Sequence, residues 1–547
     1  MTKFIVEAWS QGWIDKNNFP EESLKAFQAS YANKSLGVAF SGGGTRSAAC
    51  TLGQLKALHD LNIIDEVKYI SAVSGGGWAA TPYTFVSSDK MEQYFGRVLE
   101  PNDIDSSICK SVIKGSFQEC ITKAPILMSL VRGGVSGKGD ESFAYSLGNI
   151  FLKPFKLHNP DTHFTFNEET LKSAQEGLKE GSKNEGFSFD VSRQGTPFLI
   201  LGATLLNEDG FNSDKKYHIE YTPYYSGSRV SHKDKEFIGQ DDYFGGGYIT
   251  SCGYDCIGPY KKSSVNGVEK LLVKRVPKSL LDFTNERAFS LADIIASTGA
   301  APQEITSNIG LGALGFPEFN HIPISIPKGQ NQVAEEYPHS DGGHLENLGI
   351  MPLLARKVSK IIVFINTKKA FVPDIDSPLN SSLNKSLKAL FLPINNLFGL
   401  SKFKTNIVFK NGQKELLKII KQFTEEVEKE SSSGEFIAKN TLVAKSNLVT
   451  KSNNFYGIEA GQHVEVTWVY NCRSKAWEDS LGDRELAEVI SKKKKLFGTQ
   501  KGLEDFPHYG TFFENLKGII VLTPLQTNLL TNLSYWSAKK ALTELSN

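Results

Sequence analysis

The chain is poor in sulfur, with six cysteines and four methionines in 547 residues. The cysteines, at 50, 109, 120, 252, 256 and 472, are too few and too scattered for a disulfide framework. Only Cys252 and Cys256 stand close together. No second pair completes a zinc spacing, so they read as ordinary buried or loop thiols. Long apolar runs are missing as well. No window approaches the roughly 18 consecutive apolar residues of a membrane span. The opening MTKFIVEAWSQGWIDKNN has no apolar stretch ahead of its first charges and so no visible secretory signal. The expected compartment is the cytoplasm. Neither sign of charge is in excess: 61 Lys and Arg face 60 Asp and Glu, for a net charge of +1. That balance excludes global electrostatic capture of nucleic acid, which needs a domain-wide basic surplus. No internal repeat is visible.

Apolar residues make up 40% of the chain and aromatics 11%, enough to seal a substantial core and too much for a disordered polymer. Residues 1–35 read as an N-terminal arm carrying Trp9, Trp13 and a short helix from about Glu21 to Tyr31. That length is too short for a separate β-sandwich, which takes about 100 residues. Residues 36–547 read as one elaborated domain, with a basic, apolar-studded insertion or cap at about 371–455. Leu36–Phe40 is a short buried strand that runs into Ser41-Gly42-Gly43-Gly44-Thr45-Arg46. Leu52, Leu55 and Leu58 then mark a helix. Val67–Val73 is a second buried strand, ending at Ser74-Gly75-Gly76-Gly77, with a helical pattern from Trp78. Strand–helix–strand at this spacing is the parallel βαβ unit, so the fold class is α/β, a three-layer sandwich with a mainly parallel central sheet. Further strands are expected at Pro197–Leu206, Lys360–Asn366 and Val464–Tyr470. Polar stretches at Ser173–Glu185, Ser226–Gln240 and Ser431–Gly434 read as surface loops.

A serine between a buried strand and a helix start, crowded by glycine, has the layout of a nucleophile elbow. The residues two positions either side of Ser74 must be small, and here they are Ala72 and Gly76. The alternative is a helix N-cap. The earlier turn, Gly42-Gly43-Gly44, lets backbone N–H groups approach an anion at the positive end of a helix. No Gly-Lys-Ser/Thr follows it and the Rossmann spacing is absent, so an oxyanion hole fits better than a phosphate cradle. Both turns follow buried parallel strands and belong on the same edge of the sheet, where ligands bind. A third run, His339-Ser340-Asp341-Gly342-Gly343-His344-Leu345-Glu346-Asn347, offers carboxylate and imidazole bases. It also supports a rival reading, in which His339, Asp341, His344 and Glu346 hold a hydrolytic metal.

The runs LGVAFSGGGTRSAA, YISAVSGGGW and SDGGHLENLGI, in this order, resemble the patatin-like acyl hydrolases. The closer likeness is to the catalytic domain of cytosolic phospholipase A2 and the fungal lysophospholipases. YHIEYTPYYSG, DDYFGGGYI, SLADIIASTGAAP and FPHYGTFFENL are weaker landmarks of the same group, so the likeness spans most of residues 36–547. The resemblance implies a Ser–Asp dyad with no catalytic histidine, acting through an acyl-serine. Ser74 would be the nucleophile, in a segment where the family has glycine in place of Ala72, and Asp341 the general base. Gly42, Gly43 and Gly44 would furnish oxyanion-hole amides, with Gly75 and Gly76 supporting the elbow. Arg46 would face the substrate phosphate. The implied activity is phospholipase A2, lysophospholipase, or both, with no cofactor. No calcium loop of the Asp-x-Asx-x-Asx-Gly type is present, so calcium is not expected in the chemistry. His344 is read as a rim or support residue. A lipid-binding scaffold without turnover is the non-enzymatic alternative, and the intact Ser74, Asp341 and glycine set argues against it.

One asymmetry bears on how such an enzyme would reach lipid. Residues 381–423 hold Lys385, Lys388, Lys402, Lys404, Lys410, Lys414, Lys418 and Lys421 against the single acid Glu415. Leu383, Leu387, Leu390, Phe391, Leu392, Leu397, Phe398, Leu400 and Phe403 are interleaved with them. The stretch suits either a peripheral contact with an anionic membrane or a helical cap whose apolar face packs on the core.

Overall fold

Alternation with a period of two organises the centre of the molecule. In Leu36–Phe40, Val38 and Phe40 join one apolar cluster and Ala39 another. In Lys360–Ile365, Ile362 and Phe364 join the first, while Ile361, Val363 and Ile365 join the second. Strands buried on both faces need a packed layer on each side. The result is a three-layer α/β arrangement. The computed structural model describes residues 1–123, 142–181, 186–206, 216–233, 243–279, 282–300, 317–326, 332–373, 390–400, 404–430, 434–492, 503–510 and 522–546.

Fourteen strands form the main sheet. In chain order they are β1 (Lys3–Ser10), β2 (Leu36–Phe40), β3 (Val67–Val73), β4 (Phe198–Leu206), β5 (Lys216–Tyr221), β6 (Tyr225–Ser228) and β7 (Gly247–Thr250). They continue with β8 (Cys256–Val265), β9 (Val268–Arg275), β10 (Glu318–His321), β11 (Glu335–Asp341), β12 (Lys360–Ile365), β13 (Leu442–Val449) and β14 (His463–Tyr470). Across the sheet the order is β8-β9-β1-β7-β6-β5-β4-β3-β2-β12-β14-β13, with β11 on β4 and β10 on β11. The centre, β4-β3-β2-β12-β14, is parallel, as the βαβ reading requires. Both wings are antiparallel.

Six helices matter here: α1 (Gly44–Asp60), α2 (Gly75–Phe85), α3 (Leu291–Thr298), α4 (Met351–Ala355), α5 (Gly412–Glu426) and α6 (Pro524–Ser546). Leu52, Leu55 and Leu58 of α1 and Leu529, Leu530 and Leu533 of α6 lie in the first core. Leu353 and Leu354 of α4 and Leu416, Ile419, Ile420 and Phe423 of α5 lie in the second. Among the described residues no helix is long and apolar enough to cross a membrane.

The pairing of β4 positions the site. Leu201 pairs with Ala72 of β3 and with Tyr221 of β5, while Ala203 pairs with Ile219 of β5 and with Asp341 of β11. β5 holds one edge of β4 along these residues, so β3 and β11 must share the other. They run toward each other and stop where Val73 pairs with Gly202 and Asp341 with Ala203.

Two expectations change. Residues 1–35 are not an appended arm, because β1 lies within the sheet between β7 and β9, with Phe4, Val6 and Ala8 buried. The alternation in Lys3–Ser10 carries that strand. Beyond it, the buried Glu21 accepts from Arg356 (3.0 Å) and Tyr225 (2.6 Å), and Arg356 also pairs with Glu220 at 2.7 Å. Burial pushes Glu21 upward against the pull of Arg356. On Glu220 burial acts in the same direction, but Arg356 and His218 together outweigh it and hold that carboxyl well below the usual range. Breaking one partner of such a buried group costs about 3–5 kcal/mol, so the cluster fastens the N-terminal segment to the sheet. Among the polar stretches, Ser173–Gly181 is helical and Ser226–Ser228 is buried strand. In the first, Ala174 and Leu178 supply a buried stripe that polar composition masks. Residues 182–185, 234–240 and 431–433 of these stretches lie outside the described residues.

Candidate active site

β3 ends at Val73, and Ser74 takes φ 53° and ψ −127° before α2 begins at Gly75. A side-chain-bearing residue adopts such a backbone only where its surroundings enforce it. Here the enforcement is the abutment of β3 against β11. Asp341 closes β11, with its carbonyl held by the Thr204 hydroxyl at 2.9 Å. Ser74 Oγ donates to Asp341 Oδ2 at 2.7 Å. The other carboxylate oxygen accepts from the Gly343 amide, also at 2.7 Å. Both Ser74 and Asp341 are buried. Burial raises the pKa of Asp341, while His344, the Gly343 amide and the Ser74 hydroxyl pull it the other way without cancelling the rise. The carboxylate is thereby a stronger base than one in water.

The two glycine turns touch. A Cβ on Gly75 would lie 1.9 Å from the Gly44 carbonyl oxygen, and one on Gly76 would lie 2.9 Å from that of Phe40. No side chain fits at either position. Gly43 has φ 144° and Gly44 φ 54°, a path that favours glycine and leads directly into α1. The Gly43 and Gly44 N–H groups make no hydrogen bond among the described residues. Gly42 differs from its expected role. Its N–H donates to the Asn347 carbonyl at 3.0 Å, so that amide is already committed and Gly42 serves as a spacer against Ser74.

Arg46 also departs from expectation. The side chain is buried, with Nε donating to the Asn366 carbonyl at 3.1 Å and Nη1 to the Tyr509 carbonyl. Its Nη2 lies against Gly43. The guanidinium ties the glycine turn to the end of β12 and to the FPHYG segment. The metal-holding alternative finds no support in the geometry. His339 engages Tyr254 Oη (2.8 Å) and the Tyr337 carbonyl (2.7 Å), and Glu346 accepts from the Leu348 amide (2.6 Å). Among the described residues no group of three or more His, Cys, Asp or Glu is arranged to hold a metal. Cys252 and Cys256 are buried thiols whose pKa values burial pushes up, that of Cys252 to about 12.

Two side chains that sequence reasoning does not single out belong to the site. Asn347 Oδ1 lies against both Gly42 and Gly343. Thr298 Oγ1 accepts from the Ser74 amide at 2.9 Å and donates to the Gly202 carbonyl at 2.6 Å. Asn347 stands inside the third motif and Thr298 inside the SLADIIASTGAAP landmark, so the only sequence signal for either is membership of a quoted run.

The raised pKa of Asp341 has a consequence for stability. A carboxyl whose folded-state pKa lies above its unfolded value makes no charge-burial demand below the unfolded value and loses stability as pH rises through the folded one. Asp341→Asn removes that loss. The variant should therefore melt above the parent at pH 7, and the gap should narrow as pH falls toward the ordinary carboxylate value of 3.8. Thermal melts of both proteins across that range check this. A gap that stays constant or widens toward acid would contradict it.

Residues 38–212 match the model of the family described as patatin-like phospholipase, a span that takes in Gly42–Gly44 and Ser74 and stops before Asp341. The chain matches none of the curated proteins. Among solved structures it is similar to human GIVD cytosolic phospholipase A2, at 12% identity and a TM-score of 0.41, covering 95% of this chain and 62% of that one. Two complexes of that human protein are also similar at 12% identity. The complex with methyl gamma-linolenyl fluorophosphonate has a TM-score of 0.37, and the one that also contains terbium chloride has 0.38. Each covers 95% of this chain and 61% of that one. The chain thus spans about six tenths of the length of these structures. Over residues 38–212 the chain is similar to the patatin-like phospholipases, and the resemblance carried by its glycine and serine motifs is borne out.

Proposed function

We propose that the protein is a lipid acyl-ester hydrolase that acts on phospholipids or lysophospholipids through Ser74 and Asp341. The observation that carries this reading is the 2.7 Å hydrogen bond from Ser74 Oγ to Asp341 Oδ2 at a strained, buried strand end. As the Ser74 oxygen attacks the ester carbonyl, its proton passes to Asp341. The Gly43 and Gly44 amides then stabilise the tetrahedral oxyanion, where losing one donor typically costs about 3–4 kcal/mol. Collapse breaks the bond to the leaving alcohol, which takes the proton from Asp341 and leaves an acyl-serine. Water attacks that ester, gives a proton to the same carboxylate, and releases the fatty acid as the proton returns to Ser74. Every proton moves between Ser74, Asp341, water and the leaving group, with no metal or imidazole.

Ser74→Ala and Asp341→Asn should each lower ester hydrolysis by at least ~10³-fold while the protein stays folded, and the double variant should be little worse than either. Turnover of a p-nitrophenyl ester, with labelling by a fluorophosphonate probe and peptide mapping, measures this. Substantial hydrolysis by purified Ser74→Ala would sink the dyad.

For Arg46 the buried geometry supports bracing of the oxyanion turn rather than contact with a phosphate. On that reading Arg46→Ala lowers turnover of phospholipid and of a neutral p-nitrophenyl ester to a similar degree. A loss confined to phospholipid would return the side chain to the substrate phosphate.

A peripheral membrane contact is also part of the proposal, and its support narrows to charge and the exposed side chain of Leu392. Leu390, Leu397 and Phe398 are buried in the second core, as is the apolar face of α5. Leu383, Leu387, Phe403, Lys385, Lys388 and Lys402 lie outside the described residues. Exposed Lys410, Lys414, Lys418 and Lys421 remain along and just before α5. Replacing these four with glutamine should weaken sedimentation with anionic liposomes most at low salt, and spare a soluble short-chain ester. Undiminished binding would move the contact to another surface.

A further inference from the structure

The abutment of β3 and β11 leaves two backbone groups without a ladder. Ser74 leaves the plane of the sheet at positive φ, so its N–H cannot continue the pairing that Val73 makes with Gly202. The Gly202 carbonyl sits at the same break. It is crowded by Gly342, where a Cβ would stand 2.4 Å from that oxygen. Buried backbone groups need partners. One hydroxyl serves both: Thr298 Oγ1 accepts from Ser74 N at 2.9 Å and donates to Gly202 O at 2.6 Å. A hydroxyl has one proton, and here it is used on Gly202, so the oxygen faces the Ser74 amide in a fixed orientation. The methyl of Thr298 packs toward Gly77 in α2, where a Cβ would lie 3.2 Å from it.

The same turn reaches the other half of the dyad. Ser340, the residue before Asp341, donates its hydroxyl to the Ala300 carbonyl at 3.1 Å. Ser297 shares a hydrogen bond with Tyr221 at 2.9 Å, and Trp78 Nε1 donates to the Ile295 carbonyl at 3.1 Å. The end of α3 and the residue pair after it thus touch β5, α2, the nucleophile turn and the base strand. Thr298 and Ser340 are both fully buried.

We propose that Thr298 is a positioning residue. Its hydroxyl replaces the missing ladder bond between Ser74 and Gly202 and so holds the nucleophile in register with Asp341. This rests on the reading of Ser74 as nucleophile. Thr298 touches no reacting atom, and its effect is exerted through the amide of Ser74. The expected signature is a loss in kcat with little change in KM, because the substrate surface is untouched while the serine is displaced relative to its base.

The experiment compares Thr298→Val, Thr298→Ser and Thr298→Ala in the full chain, with the parent and Ser74→Ala as controls. It measures kcat and KM on a soluble p-nitrophenyl ester, the rate of fluorophosphonate labelling, and the melting temperature. Thr298→Val keeps the shape and removes the hydroxyl, and kcat and labelling should each fall by about 10- to 100-fold, with KM within threefold of the parent. Thr298→Ser keeps the hydroxyl and should recover to within about threefold of the parent. Thr298→Ser and Thr298→Ala both lack the methyl and differ only in the hydroxyl. That pair decides the matter if Thr298→Val cannot be obtained folded. Parental turnover in Thr298→Val, or Thr298→Ser as impaired as Thr298→Ala, would overturn the proposal. If Ser74→Ala retains parental turnover, the dyad reading falls and takes this one with it. If Ser74→Ala is dead and Thr298→Val is not, only the role of Thr298 falls.

Discussion

One edge of β4 has to serve two strands, and the site depends on how that conflict resolves. Each residue of a strand can offer an edge to only one neighbour. Val73 takes the edge at Gly202 and Asp341 takes it at Ala203, arriving from the opposite direction. Neither β3 nor β11 can continue, so both turn off at the meeting point. The sharp backbone of Ser74 and the Asp341-Gly342-Gly343 turn are two sides of that single constraint. The adjacent strand β2 ends level with β3, since Phe40 pairs with Ala72. Its outgoing turn therefore passes within van der Waals reach of the Ser74 turn. The glycines at 42–44 and 75–76 follow from that crowding as much as from any need for bare amides.

Burial alone does not decide what a carboxylate does in this protein. Glu220 and Asp341 are both buried, and desolvation pushes both upward. Glu220 meets the Arg356 guanidinium, which holds it ionised and makes it an anchor between the sheet, α4 and the N-terminal segment. Among the described residues, no guanidinium or lysine faces Asp341. It has one backbone amide, one hydroxyl and the influence of His344, and its pKa stays raised. A base needs that residual discomfort, because a carboxylate fully satisfied by a cation has no tendency to take a proton from serine. On the proposed reading of Asp341 as a base, the partner, rather than the depth, separates a structural from a chemical carboxylate in this molecule.

Much of this was legible along the chain because it is local. β2 and β3 coincide with the runs Leu36–Phe40 and Val67–Val73, and β4, β12 and β14 fall within one residue or so of the buried stretches read at 197–206, 360–366 and 464–470. A continuous apolar run bounded by glycine reports a buried parallel strand without help from elsewhere. What was not legible depends on distant pairing. The N–H of Gly42 is spent on the carbonyl of Asn347, and Arg46 is spent on carbonyls of Asn366 and Tyr509. Nothing near either residue announces those partners. β1 shows the opposite failure. Its alternation was present in Lys3–Ser10, yet an edge-like position at the start of the chain gives no hint that it sits between β7 and β9 in the sheet.

The topology also bears on how a serine could be activated without an imidazole. Histidine usually bridges a gap that a short carboxylate cannot span, and aspartate has a single methylene. For Asp341 to reach Ser74 directly, the two backbones must lie very close. Strands that end against each other on one edge supply this closeness. Their last paired residues are one position apart along β4, an offset of about 3.3 Å. Parallel strands that both pass into helices would send their side chains up from neighbouring turns, separated by the spacing between strands, about 4.8 Å, and by the sweep of each turn. The antiparallel β11 is therefore what brings the Asp341 carboxylate within direct hydrogen-bond reach of Ser74, as the proposed dyad requires. Thr298 lies at the same joint because the abutment that brings Ser74 and Asp341 together also strips Ser74 and Gly202 of their ladder partners.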